Sequence, residues 1–213
     1  MLLLALDTST PAVTAALHDG TSVLAESTVV DARRHGELLA PQVAAVLEQA
    51  GRTPADLTDL AVGVGPGPFT GLRVGVVTAL TIGSARGIEV HGICSLDALA
   101  WAADVGGPFA VVTDARRREV YWARYADRRT RRGLAAVGRP GDVAGELDHG
   151  PVVGPGAVLH PFADARPCEL SAASLASLAA HRIAGGGELL EPRPLYLRRP
   201  DATPPGERKR VLT

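Results

Sequence analysis

The sequence contains only two cysteines, Cys94 and Cys168, and a single lysine among its 22 basic residues. The cysteines form no CxxC pair, no zinc-ligand set and no disulfide framework, which excludes a disulfide-stapled secreted domain and suits a reducing compartment. We therefore expect a cytoplasmic protein. The scarcity of lysine accompanies abundant arginine and alanine, a compositional bias to which we attach no functional weight.

Long apolar runs are also missing. The N-terminal run ends at Asp7 and lacks a basic flank, so it does not have the form of a signal peptide. The longest weakly charged stretch, residues 74–85, covers 12 positions, whereas a membrane-spanning helix needs about 20. We expect no membrane association.

Paired histidines and nucleophile motifs are absent as well. No two of the six histidines are three or four positions apart, so the sequence has neither HExxH nor HxxxH and no helix-borne metal pair is expected. It also has no GxSxG motif, and neither cysteine has a histidine near it in sequence. These absences disfavour a peptidase.

The composition is that of an ordinary globular protein. The chain has 213 residues, of which 46% are hydrophobic, and its 22 basic and 23 acidic residues nearly cancel. This balance excludes a globally basic nucleic-acid coat but not a local basic patch. The length predicts one large domain or two small lobes.

The first 104 residues predict a mixed β-sheet with helical crossovers. Periodicity and turn residues indicate strands at 2–6, 12–17, 22–28, 60–64 and 90–94, with helices at 36–50, 71–86 and, capped by Ser95, through 103. Three antiparallel strands followed by parallel ones are typical of a ribonuclease-H-like lobe.

The second half repeats this beginning with fewer recognisable elements. Strands are predicted at 109–113, 119–125, 134–137 and 151–154, and a helix capped by Ser171 extends to residue 184. We predict an N-terminal lobe over 1–104, a reduced C-terminal lobe over 105–199, and a disordered tail over 200–213, where proline and charged residues concentrate.

Three loops are candidates for binding chemistry. Asp7 ends the first strand and precedes a hydroxyl-rich turn, a place where actin-like ATPases hold metal and phosphate, although this loop lacks the expected glycine. Gly65, Gly67 and Thr70 belong to a GPGPFTG loop before a helix, where an anion could bind, although it lacks a Walker lysine. A rigid turn with Thr70 as the helix cap is the favoured interpretation.

The third loop begins at Asp114 and is rich in arginine. Residues 116–132 contain eight arginines and only two acidic residues, Glu119 and Asp127, which leaves a local excess of six positive charges. Arg116, Arg117 and Arg118 stand where a phosphate loop would have glycine, and they are candidate RNA contacts. A solvated hairpin, with the nearby aromatic residues packed inward, is the favoured alternative.

The helix over 71–86 is apolar on all sides, which predicts burial on all sides. Gly75, Ala79 and Gly83 form a ridge of small residues that would let a second helix approach closely. Together with the helix over 36–50, this ridge is our candidate interface with another protein, the alternative being that the two helices bury each other. The candidate interface residues are Leu39, Val43, Leu72, Gly75, Val76, Ala79, Leu80 and Gly83.

Several segments, in order along the chain, resemble the TsaB (YeaZ) family: LLALDTSTPAVTAAL at the start, GVGPGPFTGLRVG at 63–75, DARRREVYWA at 114–123, GPGA at 154–157 and PLYLR at 194–198. The resemblance implies two ribonuclease-H-like lobes of the actin/hsp70/hexokinase (ASKHA) type. The 63–75 segment is the most specific of these motifs.

The resemblance also implies a role in threonylcarbamoylating the adenosine 3′ of the anticodon in tRNAs that read ANN codons. In this role the family is a noncatalytic partner of TsaD, which carries the metal and the transfer reaction, with TsaE as an associated ATPase. TsaD has HxxxH after its fifth strand, and this chain has Ser95-Leu96-Asp97-Ala98-Leu99 there.

The implied partners are a TsaD homologue, a TsaE-type ATPase, tRNA through the complex, and a second copy of the chain when TsaD is absent. No cofactor is expected to bind tightly, but ATP or ADP could sit at the interface of the complex. Two alternatives stay open: an active actin-like ATPase or phosphotransferase that uses Asp7, Asp114 and the glycine-proline loop, and, ranked last, a peptidase.

Overall fold

The first lobe is built on a five-stranded mixed sheet. The computed structural model describes residues 1–147 and 150–198, so the predicted disordered tail lies outside the described residues. The strand order is β3-β2-β1-β4-β5, with β4 and β5 parallel to β1 and the others antiparallel. The elements are β1 (Leu3–Asp7), β2 (Ala12–His18), β3 (Val23–Val30), α1 (His35–Gln49), a 3-10 turn (Pro54–Asp56), β4 (Asp59–Gly65), α2 (Phe69–Arg86), β5 (Glu89–Cys94) and α3 (Ser95–Ala102).

The second lobe repeats this plan in the same strand order, β8-β7-β6-β9-β10. A helix again follows the third, the fourth and the fifth strand, so each element of the second sheet has a counterpart in the first. The elements are β6 (Phe109–Asp114), β7 (Val120–Asp127), β8 (Thr130–Gly138), α4 (Pro140–Glu146), β9 (Val152–Val153), α5 (Pro155–Leu159), β10 (Ala165–Arg166) and α6 (Ala172–Gly185). The predicted pair of ribonuclease-H-like lobes of the ASKHA type is confirmed.

The reduction of the second lobe lies in the length of its elements. The sequence analysis missed α4, α5 and β10, because two-residue strands and helices of one or two turns are too short to show a periodic pattern. Strand β8 begins four residues earlier than predicted, in the arginine-rich turn.

Three helix starts were tested by the structure. Ser171 caps α6 as predicted, since its hydroxyl accepts hydrogen bonds from the amides of Ala173 and Ser174. Thr70 is not a cap: α2 begins at Phe69, two residues before the predicted start at residue 71, so Thr70 lies inside the helix and Pro68 takes the cap position. Ser95 is not a cap either, because it is the first residue of α3 and its hydroxyl bonds elsewhere.

The helices form an outer and an inner layer. Helices α1 and α2 cover the outer face of the first sheet, and α4 and α5 cover the outer face of the second. Helices α3 and α6 lie between the sheets, where their apolar side chains join those of β1, β5, β6 and β7 in one core. Alternation along β1 sorts its side chains accordingly: Leu4 and Leu6 face outward to α1 and α2, whereas Leu3 and Ala5 face inward.

Contacts between the two lobes are made by the last helix of the second lobe and by the segment that follows it. Helix α6 packs against β1, β2 and β3 of the first lobe. The segment that follows it, residues 188–198 (the C-terminal strap), pairs with the outer edge of β5, where Leu190 and Gly92 exchange backbone hydrogen bonds of 2.8 and 2.9 Å. The two lobes therefore share a continuous core.

Within the described residues, no helix combines the length and the apolar character that crossing a bilayer requires.

Candidate functional site

Asp7 lies at the carboxyl end of β1 and is fully buried. Its Oδ1 accepts a hydrogen bond from the Ser9 amide at 2.6 Å, and its Oδ2 accepts one from the Ser95 hydroxyl at 2.6 Å. The Ser95 oxygen in turn accepts from the Gly65 amide at 3.2 Å. Burial raises the pKa of Asp7, and the bonds from Ser95 and Ser9 oppose that shift in part. The Asp7 carboxylate is thus engaged inside the protein and does not face a cleft.

The glycine-proline loop packs directly on the Asp7 turn. A β-carbon at Gly63 would collide with the Asp7 carboxylate, and one at Gly67 would collide with the backbone of Ser9. Thr8 joins the same surfaces: its hydroxyl donates to the Gly71 carbonyl at 2.7 Å and accepts from the Gly75 amide at 2.9 Å. The glycines therefore permit close packing of one loop on the other, as the rigid-turn interpretation predicts.

The Asp114 turn occupies the equivalent place in the second lobe. Oδ1 of Asp114 accepts a hydrogen bond from the Arg116 amide at 2.9 Å, and the carboxylate lies 3.8 Å from the Arg116 guanidinium. Arg116, Arg117 and Arg118 have φ angles of 62°, 54° and 62°. This left-handed conformation favours glycine and costs other residues roughly 1–2 kcal/mol each. Three consecutive arginines thus adopt a backbone conformation that glycine favours, and their side chains are exposed on the surface.

The C-terminal strap joins this turn to the first lobe. Arg198 donates to the Ala115 carbonyl at 3.2 Å and forms an ion pair with Glu119. Two residues earlier, Tyr196 stacks on Phe69 at the start of α2, with ring centroids 5.0 Å apart. Between these contacts lies a cleft of about 370 Å³, bordered by Gly67 and Phe69 on one side and by the Asp114 turn on the other. We call it the interlobe cleft.

The predicted outward position of the α2 ridge is wrong. Ala79 is 0% exposed, and β-carbons at Gly75 and Gly83 would meet Thr8 and Val90 of the first lobe. The ridge therefore lets α2 approach its own sheet. Of the eight predicted interface residues, six are buried within the chain: Leu39, Leu72, Gly75, Val76, Ala79 and Gly83. Val43 is half-buried, and Leu80 alone is exposed.

The opposite side of α2 carries the apolar surface instead. Phe69, Val77 and Leu80 are 46%, 57% and 42% exposed, and their spacing places them on one stripe of the helix. Beside them, α1 exposes the small residues Ala40 and Ala44. A groove of about 450 Å³ runs between the start of α1 and the first turns of α2. We call this surface the α1–α2 face.

Groups that could serve metal or nucleophilic chemistry are scarce in the part of the chain that the structure describes. Residues 1–147 and 150–198 contain no cluster of three or more histidine, cysteine or acidic residues that could hold a metal ion. Burial raises the pKa of the Cys94 thiol to about 12, so this cysteine stays protonated at neutral pH and is a poor nucleophile.

Sequence reasoning missed Thr8, Phe69 and Val77 as residues of the site. The sequence predicts a turn residue at Thr8 and a helix cap at Ser95, whereas each hydroxyl bonds to a group more than 60 positions away in the sequence. Because α2 is apolar on all sides, its pattern is compatible with either face pointing outward, and the sequence carries no signal that selects the side with Phe69, Val77 and Leu80.

Comparison with known proteins identifies the family. Residues 22–151 match the family model described as TsaD, tRNA N6-adenosine threonylcarbamoyltransferase. A protein of Mycobacterium tuberculosis, described as uncharacterised, is 49% identical over 206 residues, which cover 94% of this chain and 93% of that protein. The tRNA threonylcarbamoyladenosine biosynthesis protein TsaB of Escherichia coli is 34% identical over 128 residues, 59% of this chain and 55% of that protein.

A solved structure matches the whole architecture. YeaZ from Pseudomonas aeruginosa superposes with a TM-score of 0.80 at 31% identity, and the match covers 92% of this chain and 99% of that one. Because the match covers nearly all of both chains, both lobes are shared. Since the family model spans more than half of the chain and the YeaZ structure is matched over nearly its full length, this chain belongs to that family and, within it, to the TsaB (YeaZ) group.

Proposed function

We propose that this chain takes part in tRNA threonylcarbamoyladenosine biosynthesis as a noncatalytic subunit. In this role it binds a TsaD-type enzyme and supports transfer of the threonylcarbamoyl group to the adenosine 3′ of the anticodon in tRNAs that read ANN codons. Membership of the TsaB (YeaZ) group supports the pathway, as does the name of the E. coli relative. The contribution of this chain itself is argued from its surface.

The observation that carries the proposal is the exposed α1–α2 face. Helix α2 has 18 residues, which corresponds to a length of about 27 Å. Phe69, Val77 and Leu80 extend along most of that length, and the small residues of α1 leave room for a facing helix to approach. A helical pair of this length can supply the centre of a protein interface of standard size, about 800 Å² per partner. Arg73 lies on the same side of α2, with its guanidinium 4.9 Å from the centre of the Phe69 ring, and the exposed apolar side chains around it favour association.

The noncatalytic role is supported by the residues at the two aspartate turns. The segment 95–99 has no histidine, and its first residue, Ser95, is bonded to Asp7. Asp7 is buried with both oxygens engaged, which argues against an active actin-like ATPase or phosphotransferase in which this carboxylate would hold a metal-nucleotide. The TsaD-type partner would then supply the metal and the reacting groups.

ATP or ADP, together with a TsaE-type ATPase, would join the complex at the interlobe cleft. The cleft adjoins the α1–α2 face at Phe69, and Arg116 lines its other side. A phosphate there could meet guanidinium donors of this chain while the partner covers the rest of the nucleotide.

In the absence of the TsaD-type partner, we propose that the same α1–α2 face pairs with a second copy of the chain. A twofold arrangement would bring two α2 helices together and cover both apolar stripes. The homodimer and the heterodimer would then exclude each other, because they use one surface.

The test is Val77→Arg. Because Val77 is 57% exposed, the arginine can extend into solvent and the isolated chain should fold normally, but a bulky charge would then lie in the interface. The matched control is Val158→Arg, an apolar residue of similar exposure on α5, the counterpart of α2 in the second lobe. Size-exclusion chromatography with light scattering measures both the homodimer and the complex with the TsaD homologue from the same source.

We expect Val77→Arg to be monomeric, to fail to bind the TsaD homologue, and to lose threonylcarbamoylation of tRNA in the mixture with TsaD and TsaE. Val158→Arg should behave as the wild type in all three measurements. Normal binding by a folded Val77→Arg protein would show that the α1–α2 face is not the interface. Transfer of the threonylcarbamoyl group by this chain without TsaD would show that it is not a noncatalytic subunit.

A further inference from the structure

A second concave site lies between the lobes, on the inner side of the first sheet. This cavity of about 620 Å³ is bordered by α3, by α6 and the residues after it, and by the β7–β8 turn with the first half of β8. Helices α1 and α2 lie on the other face of the same sheet, so a partner bound to the α1–α2 face would not cover it. We call it the arginine cavity.

Asp97 organises the wall of the arginine cavity. This buried carboxylate accepts hydrogen bonds from the Tyr125 hydroxyl at 2.8 Å, from Arg131 at 3.1 Å and from Arg182 at 2.9 Å. One negative charge thus holds two guanidinium groups, leaving an excess of one positive charge. Each guanidinium has five N–H donors, so both arginines retain donors for a further acceptor, and both border the cavity.

Trp101 fixes further positive charge at the mouth. The guanidinium carbons of Arg128 and Arg129 lie 4.9 and 5.4 Å from the centre of its ring, and the imidazole of His181 lies 5.1 Å from it. The cation–π contacts of Arg128 and Arg129 restrain side chains that would otherwise move freely, and His181 packs on the same ring as an aromatic neighbour. The acidic groups on the same elements are Asp97, Asp127 in the turn and Glu188 after α6, so the four arginines remain in excess.

We propose that the arginine cavity binds a phosphate group, which Arg128 and Arg129 at its mouth hold together with Arg131 and Arg182 of its wall. Guanidinium groups that are already oriented match the several acceptor oxygens of a tetrahedral phosphate and lose little conformational entropy when they bind it. Here they come from three elements around a concave surface. The source of the phosphate rests on the proposed function: the backbone of a tRNA is one source, and a free nucleotide or inorganic phosphate is the other.

The test reverses the charge of the two arginines at the mouth of the cavity. Arg128→Glu and Arg129→Glu together change exposed side chains and leave the buried group around Asp97 intact. The matched control is Arg166→Glu with Arg193→Glu, because these arginines are also exposed and each pairs with a neighbouring acid in sequence. The probe is a fluorescein-labelled unmodified tRNA that reads ANN codons, titrated with wild-type protein and both variants over a series of salt concentrations.

We expect the mouth variant to bind this tRNA at least tenfold more weakly than the wild type. The slope of log affinity against log salt should fall by about 1.5, because each lost phosphate contact removes roughly 0.7–0.9 from it. The control variant should match the wild type. If the mouth variant and the control bind the tRNA equally, RNA is not the source of the phosphate.

Calorimetry with inorganic phosphate and with AMP distinguishes the other source. Binding by the wild type that the mouth variant loses would assign the cavity to a free phosphate or nucleotide. If neither tRNA, phosphate nor AMP binding depends on Arg128 and Arg129, the proposal is overturned. Complex formation with the TsaD homologue is measured in parallel and should be normal in the mouth variant, so failure of the arginine cavity and failure of the α1–α2 interface give different results.

Discussion

The two aspartate turns occupy the same place in the two lobes and serve different purposes. Asp7 is buried beneath the glycine-proline loop and receives a hydrogen bond from Ser95, at the start of the helix after the fifth strand. Asp114 is partly exposed and pairs with Arg116. Ser171, the counterpart of Ser95, bonds to Glu26 of β3 instead. A shared fold thus repeats the position of a carboxylate without repeating its environment.

The outer helices that follow the fourth strand of each sheet, α2 and α5, differ in length between the two lobes. Helix α2 has 18 residues and its counterpart α5 has five. Both expose apolar side chains, but only α2 is long enough to present them as a stripe. Reduction of the second lobe therefore leaves the longer exposed apolar stripe on the first lobe.

The largest expected effect concerns the inner face of α2. Ala79→Arg should destabilise the fold by about 4 kcal/mol, because the position is 0% exposed and the charge would be buried without a partner. Leu80→Arg, at the next position and exposed, should change the free energy of unfolding by less than about 0.5 kcal/mol. Urea unfolding followed by circular dichroism measures both. A stable, folded Ala79→Arg protein would show that the ridge faces solvent and does not pack on the first sheet.

The two aspartate turns should differ in stability when each carboxylate is removed. Asp7→Ala leaves the buried Ser9 amide and Ser95 hydroxyl without their acceptor and should cost about 2–3 kcal/mol. In Asp114→Ala, the Arg116 amide that donates to this carboxylate can bond to water instead, so the substitution should cost at most about 1 kcal/mol. Equal losses in urea unfolding would refute the contrast between the turns.

The C-terminal strap covers the edge of the first sheet at β5, and Gly92 is the position that allows it. A β-carbon there would lie 2.8 Å from the Leu190 carbonyl oxygen, so Gly92→Ala should displace the strap at a cost of roughly 1–2 kcal/mol. Hydrogen exchange at the amides of Leu190 and Leu195 should accelerate, while exchange in β6 and β7 should not. Unchanged protection of Leu190 would mean that the strap is not held by this edge.

The smallest effect is the pH dependence that Asp7 contributes. Burial raises its pKa in the folded state, so the folded protein binds the proton more tightly than the unfolded chain does. The contribution to stability is fully present below the unfolded pKa, near 3.8, and is lost as the pH rises through the folded pKa. Asp7→Asn cannot ionise, so its stability relative to the wild type should increase as the pH rises above 4. Urea unfolding midpoints for both proteins over this range measure it, and a difference that does not change with pH would contradict the raised pKa.

Part of this protein can be derived from the sequence alone. Alternation and periodicity identify the strands and long helices of the first lobe, and the position of Ser171 identifies the start of α6. The inward packing of Tyr121, Trp122 and Tyr125 is confirmed by their burial. These features depend on local preferences and on the burial of apolar side chains, which are readable over a few neighbouring residues.

The tertiary structure decided the rest, because the deciding contacts join residues that are distant in sequence. The direction of the Gly75–Ala79–Gly83 ridge depends on Thr8 and Val90, which meet it only when α2 lies on its sheet. The bond from Ser95 to Asp7 spans 88 positions, and Asp97, Arg131 and Arg182 come together from three elements. A helix that is apolar on every side does not specify which side faces water, so only packing on the sheet could select the α1–α2 face.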